Sequence, residues 1–366
     1  MFHVPHTDPS DALSDEDPAS VVHEKWLKWV ARELQRRAIM GHFVVDGLVS
    51  QRSGHPTSVR HLTNPMTMPS EKSAYEAATA AEWAVTMQNH SHTNTTFREV
   101  YLHVFDGSIG SLAGQISPFA VWVLLEGLQC LVSESIEAGG PAVGLASDAQ
   151  ICQALLALYQ AGFCLPEGST IDLPGILLRW HGICISMAVD IKALALHLCK
   201  EHHIKQDVYI DWGTEAASLD LISWLNSIQA RRALCHALAI RAIIEQLSFG
   251  RTHAIHIPSA AFAAGTVFAA FCSQRHVKYQ VPDPVDWTAV LSLRFDSDRQ
   301  ANSSQTEAYL LGAASLTEGQ HRVVRLSDEL NFIQGFLRSI ESVCLVAHDL
   351  ANLTSQWTAM LYTRSS

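Results

Sequence analysis

Residues 22–56 read VHEKWLKWVARELQRRAIMGHFVVDGLVSQRSGHP, and their apolar members recur at helical rather than alternating spacing. Trp29, Met40 and Phe43 form one stripe, and Trp26, Val30, Leu34, Gly41, Val45 and Leu48 form a second beside it. Two apolar stripes predict a helix buried on two faces. Within the first stripe Glu33 and Arg36 stand three apart, which places a charged pair beneath the aromatic residues. At 1.5 Å per residue, Trp26 to Ser50 makes a rod about 37 Å long, and Arg52-Ser-Gly54-His-Pro56 stops it.

Working outward, the composition narrows the function classes. The chain has 366 residues and a formal net charge of -11, with no run of four or more Lys/Arg. It therefore carries no electrostatic footprint for a phosphate backbone. Its eight cysteines, at 130, 152, 164, 184, 199, 235, 272 and 344, form no Cys-x-x-Cys pair, and they read as buried free thiols in a reducing compartment. The apolar runs Ile116–Val132 and Ala254–Cys272 are broken by Glu126 and Gln129, or by His256 and Pro258, so neither reads as a membrane span. Residues 1–19 hold Asp8, Asp11, Asp15, Glu16 and Asp17 among three prolines and read as a disordered acidic tail.

The remainder, 20–366, reads as one all-α domain: an irregular multi-helix array around the long Arg-Arg helix. Periodicity predicts helices over Glu71–Gln88, Phe97–Phe105, Pro118–Glu137 and Asp148–Phe163. A core helix carries Ile183, Met187, Ile191, Leu194 and Leu198 at steps of four, four, three and four, with Asp190 and Lys192 on other faces. A further helix, from near Ser218, sets Ala233, Ala237, Ile240, Ile244 and Leu247 in register and ends at Gly250. Ser259–Cys272, small and apolar throughout, predicts a helix enclosed on all sides, and Ser327–Met360 a closing helix broken near Asp349. No run is strong enough to predict a sheet.

Several constellations invite a chemical reading. His197, Cys199, His202 and His203 have metal-ligand residue types, but they sit at a helix end beside Lys200, where imidazoles favour the negative pole. His348-Asp349 has the ligand pair of an all-helical metal phosphohydrolase without the downstream Asp such a site needs. Gly107-Ser-Ile-Gly-Ser-Leu-Ala-Gly114 is neither a nucleophile elbow nor a phosphate loop. Arg36-Arg37 and Arg231-Arg232 have the forks of anion clamps, yet each pair also suits internal hydrogen bonds to Glu33, Asp46 or main-chain carbonyls. No catalytic residue and no metal site is assigned.

A resemblance adds to this. Trp29, Glu33, Arg36, Arg37, Gly41, Phe43, Asp46, Gly54 and Pro56 stand in an arrangement that resembles the Arg-Arg helix of the fungal-specific transcription-factor domain, the regulatory middle region of fungal zinc-finger regulators. Arg179-Trp180-His181-Gly-Ile-Cys184, Arg231-Arg232-Ala-Leu-Cys-His236-Ala237 and Gly250-Arg251-Thr-His253-Ala-Ile-His256-Ile-Pro258 look like the subgroup whose DNA-binding part is a pair of Cys/His fingers. The likeness runs from Trp26 to Trp287. It implies a nuclear regulatory domain without chemistry or cofactor of its own. Partners would be proteins of the RNA polymerase II transcription machinery, or a second copy; DNA and zinc would enter only through fingers that this sequence lacks. The sequence is then expected to be a fragment or a finger-less relative. The rival expectations are an all-helical metal-dependent hydrolase and a pure interaction scaffold.

Overall fold

The computed structural model of the chain describes residues 13–14, 16–53, 57–58, 64–89, 95–139, 144–165, 173–209, 219–247, 255–273, 278–292, 304–312 and 321–363. The class is all-α, as the sequence predicts. Contacts gather the chain into two compact units. The first unit is residues 1–50, 56–130 and 157–169, and the second is 51–55, 131–156 and 170–366.

The first unit is built on α1 (Ala19–Ser53), followed by α2 (Lys72–Tyr75), α3 (Ala80–Asn89), α4 (Phe97–Asp106) and the first part of α5 (Pro118–Glu137). The first stripe of α1 is buried as expected: Trp29 is 2 % exposed, Met40 0 % and Phe43 7 %. The second stripe is buried only in part: Trp26 and Val30 pack on the Trp29 cluster, whereas Leu34 and Val45 are about half exposed. So α1 has one buried face, opposite an apolar face that its own unit leaves open. Trp29 packs with Trp83 at 5.6 Å between ring centroids, in a cluster with Ala74 and Met87. Of the expected acidic tail, residues 1–12 and 15 lie outside the described residues, but Leu13 packs on this cluster and Asp17 pairs with Lys25. The hydrogen bond from Lys25 holds the Asp17 carboxyl below its usual range.

The helix expected over Glu71–Gln88 is two. Thr79 Oγ1 accepts from Glu82 N, and Glu82 Oε2 accepts from Ala78 N, a local cap that starts a new helix at Ala80. Thr96 and Glu99 form a full capping box at α4, and Gly107 closes that helix at a φ of 79°, which an L side chain rarely adopts. α5 has the length and apolarity of a membrane span, yet 67 % of that window is buried inside the chain. Its Glu126 is fully buried against α1: a Cβ on Gly47 would stand 2.6 Å from Glu126 Oε2.

α6 (Asp148–Gln160), like α5, has residues in both units. The second unit then comprises α7 (Leu173–Ala188), α8 (Ile191–Glu201), α9 (Leu221–Leu225), α10 (Ile228–Gln246), α11 (Ile257–Cys272), α12 (Trp287–Ser292), α13 (Gln305–Leu310), α14 (Leu326–Ile340) and α15 (Leu345–Thr363). The helix read through Ile183 and Leu198 is broken: α7 and α8 meet at 66°, because Asp190 caps α8 by accepting from Lys192 N and Ala193 N. The closing helix also divides, at 341–344 rather than near Asp349. α11 is enclosed as predicted, packed by α7, α8, α10, α14 and α15, and almost every residue from Ile257 to Phe271 is buried. The absence of strands needs correction: β1 (Tyr279–Pro282) pairs antiparallel with β2 (His321–Val324), Tyr279 opposite Val324 and Pro282 opposite His321. Four-residue strands are too short to show a period, and this ribbon is minor.

Candidate functional site

The residues singled out by motif gather into two clusters, one per unit. In the first, Glu33 on the buried face of α1 is 1 % exposed. Its carboxylate accepts from Arg36 Nη1 at 2.6 Å, Arg37 Nε at 2.7 Å and Ser70 N at 3.0 Å. Arg37 Nη2 in turn donates to Ser70 O at 2.7 Å, and its guanidinium lies over the Tyr75 ring at 3.9 Å. The clamp therefore ties α1 to the segment entering α2. Both guanidinium groups are turned onto the Glu33 carboxylate, which is the opposite of an open anion site. Asp46 is not part of it: its carboxylate accepts from Ser58 N at 2.8 Å, steadying the chain beyond α1. Gly54 and Pro56 lie outside the described residues.

In the second unit, α7 supplies Arg179, Trp180 and His181, and α10 supplies Arg232 and His236. His181 Nδ1 and His236 Nδ1 are 2.8 Å apart and both rings are buried. A nitrogen pair at this distance holds one proton, so the two imidazoles have opposite roles, one donating and one accepting. Trp287, the first residue of α12, stacks on His236 at 4.8 Å and meets His181 at 4.7 Å. Trp180 closes the nest edge-on to His181, while its indole N–H donates to Leu155 O at 2.9 Å. Burial holds His181 down at about 3. Burial first, then the charges of His181 and Arg232, hold His236 well below its ordinary 6.5. Both shifts favour the neutral imidazole.

The neighbouring motif residues are also spent on packing. Arg231 Nη1 donates to Leu310 O at 2.9 Å, and its guanidinium fills the space that a Cβ on Gly312 would need. Arg179 and His256, each 3 % exposed, share a small pocket with Gly182 and Ser259. Burial, then the Arg179 charge, holds His256 well below 6.5. Gly250, Arg251 and His253 lie outside the described residues.

The constellations with metal-ligand residue types are scattered. His197 and His202 each reach Glu201 at 3.9 Å, whereas the Cys199 thiol is buried and pushed up to about 11. His348, exposed in the first turn of α15, faces Asn352 at 3.0 Å and Glu341 at 3.5 Å. Among the described residues no three His, Cys, Asp or Glu side chains stand together as a metal would require.

No protein-family model, curated protein or solved structure matches this chain. The reading thus rests on the geometry and the motif order.

Sequence reasoning missed three participants. Trp287 enters only as the end of the resembling stretch, Ser70 is not singled out at all, and the Leu155 carbonyl has no side-chain signal. The His181–His236 bond spans 55 residues, beyond any local periodicity.

Proposed function

We propose that this chain is a regulatory domain of the fungal-specific transcription-factor kind, working in the nucleus through contacts with proteins rather than through turnover. The observation that carries the reading is the meeting of the second and third motif segments, Arg179-Trp180-His181 and Arg231-Arg232-Ala-Leu-Cys-His236, in one enclosed nest. The first motif closes likewise on itself at Glu33. Described motif residues that hold helices together support a structural signature better than a reaction centre. A buried imidazole with its partner beside it has no route for passing a proton to a substrate.

The negative charge agrees with this. A chain at -11 would reach DNA through a separate basic module and present its own surface to proteins.

The test is to tether the chain to a heterologous DNA-binding module above a reporter. A shift of reporter output in either direction, lost in the Arg37→Ala variant, is the expected result. Output equal to that of the bare module, with the fusion folded and nuclear, would remove the regulatory reading. Stoichiometric metal in the purified protein would instead favour a metal-dependent hydrolase.

A further inference from the structure

Helix α1 carries a second row of side chains that its own unit does not use. Leu27 is 52 % exposed, Leu34 49 %, Val45 47 % and Val49 58 %, and Ala31 and Ala38 between them are exposed as well. Gly41 has nothing within 4 Å of where its Cβ would stand. Positions 27, 31, 34, 38, 41 and 45 are spaced alternately four and three apart, the seven-residue repeat of helices that pair along a seam. The buried row of Trp29, Glu33, Met40 and Phe43 follows the same rhythm on the opposite side. α1 thus has one face covered by its own unit and, opposite it, an apolar row that its own unit leaves exposed.

The row is complementary to itself. Reversed about a twofold axis level with residue 36, it sets Leu34 against Ala38, Ala31 against Gly41 and Leu27 against Val45. No layer then opposes two leucines, and the small central residues let the helices approach closely. A parallel pairing would instead stack Ala31, Ala38 and Gly41 each on its own copy, leaving thin layers beside crowded ones. Charge points the same way. In a chain at -11, the exposed residues of α1 between Lys28 and Asp46 are Ala31, Leu34, Gln35, Ala38, His42 and Val45, with no carboxylate. Glu24, at the edge of the row, already holds Lys28 at 2.6 Å. A specific interface needs about 1,000 Å² in total, and this row with the stems of Lys28, Gln35 and His42, contributed twice, is of that order.

We propose that α1 is an antiparallel pairing surface for α1 of a second copy of this chain. The inference does not rest on the regulatory reading: a silent reporter leaves it standing, and a monomeric but active chain removes it alone.

Sedimentation equilibrium of the full chain at micromolar concentrations should show a reversible dimer. Leu34→Glu should raise its dissociation constant at least about 100-fold, because two carboxylates enter the middle of the seam, while the helical circular dichroism is kept. Gln35→Cys, near the axis, should form an intermolecular disulfide beyond the parent chain's background. Leu27→Cys should not, because the two copies of residue 27 lie on the order of 27 Å apart when the helices are reversed. A monomer at every concentration, a dimer indifferent to Leu34→Glu, or self-crosslinking of Leu27→Cys would each overturn the proposal.

Discussion

The Nδ1 atoms of His181 on α7 and His236 on α10 share a hydrogen bond of 2.8 Å beneath the indole of Trp287. The bond exists only while the pair holds a single proton between the two nitrogens. Acid attacks it directly: both rings have folded values below the ordinary 6.5, so the unfolded chain binds the extra protons. Stability is then full above about pH 6.5 and is lost as pH falls toward the folded value, about 3 for His181. At about pH 5 the His181 imidazole should cost about 2 kcal/mol relative to neutral pH, and His236 should add to the loss in the same direction. Urea unfolding at the two pH values measures this, and a flat profile would show that the rings are not buried neutral.

Removing one ring of the pair is a separate test. His236→Ala opens a gap beside Trp287 and leaves the His181 nitrogen without its acceptor or donor, so it should cost about 2–4 kcal/mol. His181→Ala should cost a similar amount. Because the two share one bond, the double variant should be less destabilised than the sum, by about 1 kcal/mol or more. Simple additivity in the urea midpoints would mean that the contact carries no coupling.

In the other unit, Arg37→Ala takes from the buried Glu33 carboxylate one of its two guanidinium partners, and from Ser70 O its donor. Breaking such a pair costs about 3–5 kcal/mol, reduced here because Arg36 remains at 2.6 Å. A fall in the thermal midpoint of several degrees is expected. Glu33→Ala should be worse, since it leaves two arginines facing each other.

How far the sequence foretold this follows from the range of each interaction. The buried face of α1 was legible because Trp29, Glu33, Met40 and Phe43 encode it at helical spacing within one segment. The reading of Leu34 and Val45 as buried went wrong because periodicity reports an apolar face and not what covers it. The break at Asp190 was hidden by a run of apolar residues that keeps its helical phase across the bend. There the decisive signal was a single capping carboxylate, read instead as a residue on another face. The histidine nest was out of reach for a different reason: its partners are set by how α7, α10 and α12 pack.

The Asp190 cap carries its own prediction. Asp190→Ala removes the acceptor for Lys192 N and Ala193 N at the start of α8, while the backbone must still turn there. A loss of about 1 kcal/mol is expected, and Asp190→Asn or Asp190→Ser should restore most of it. If alanine costs nothing, the corner is held by packing of Val189 and Leu194 alone.

The same substitution should have opposite signs at two glycines of the second unit. A Cβ on Gly265, in α11, would stand 3.1 Å from Ile333 Cγ2 of α14 and 3.1 Å from Thr354 Cγ2 of α15. Those neighbours are themselves buried, so neither methyl can yield without moving its helix. Alanine there gains about 1 kcal/mol of helix propensity but meets an overpacking cost of about 1–3 kcal/mol, and valine adds two further methyl groups to the clash. Stability should fall from glycine to alanine to valine. Gly335, on the exposed side of α14, has open space around its missing Cβ. Gly335→Ala should raise stability by up to about 1 kcal/mol. Urea midpoints for the three variants decide the matter: a stabilising Gly265→Ala would mean that α11 is less tightly gripped by α14 and α15 than this geometry requires.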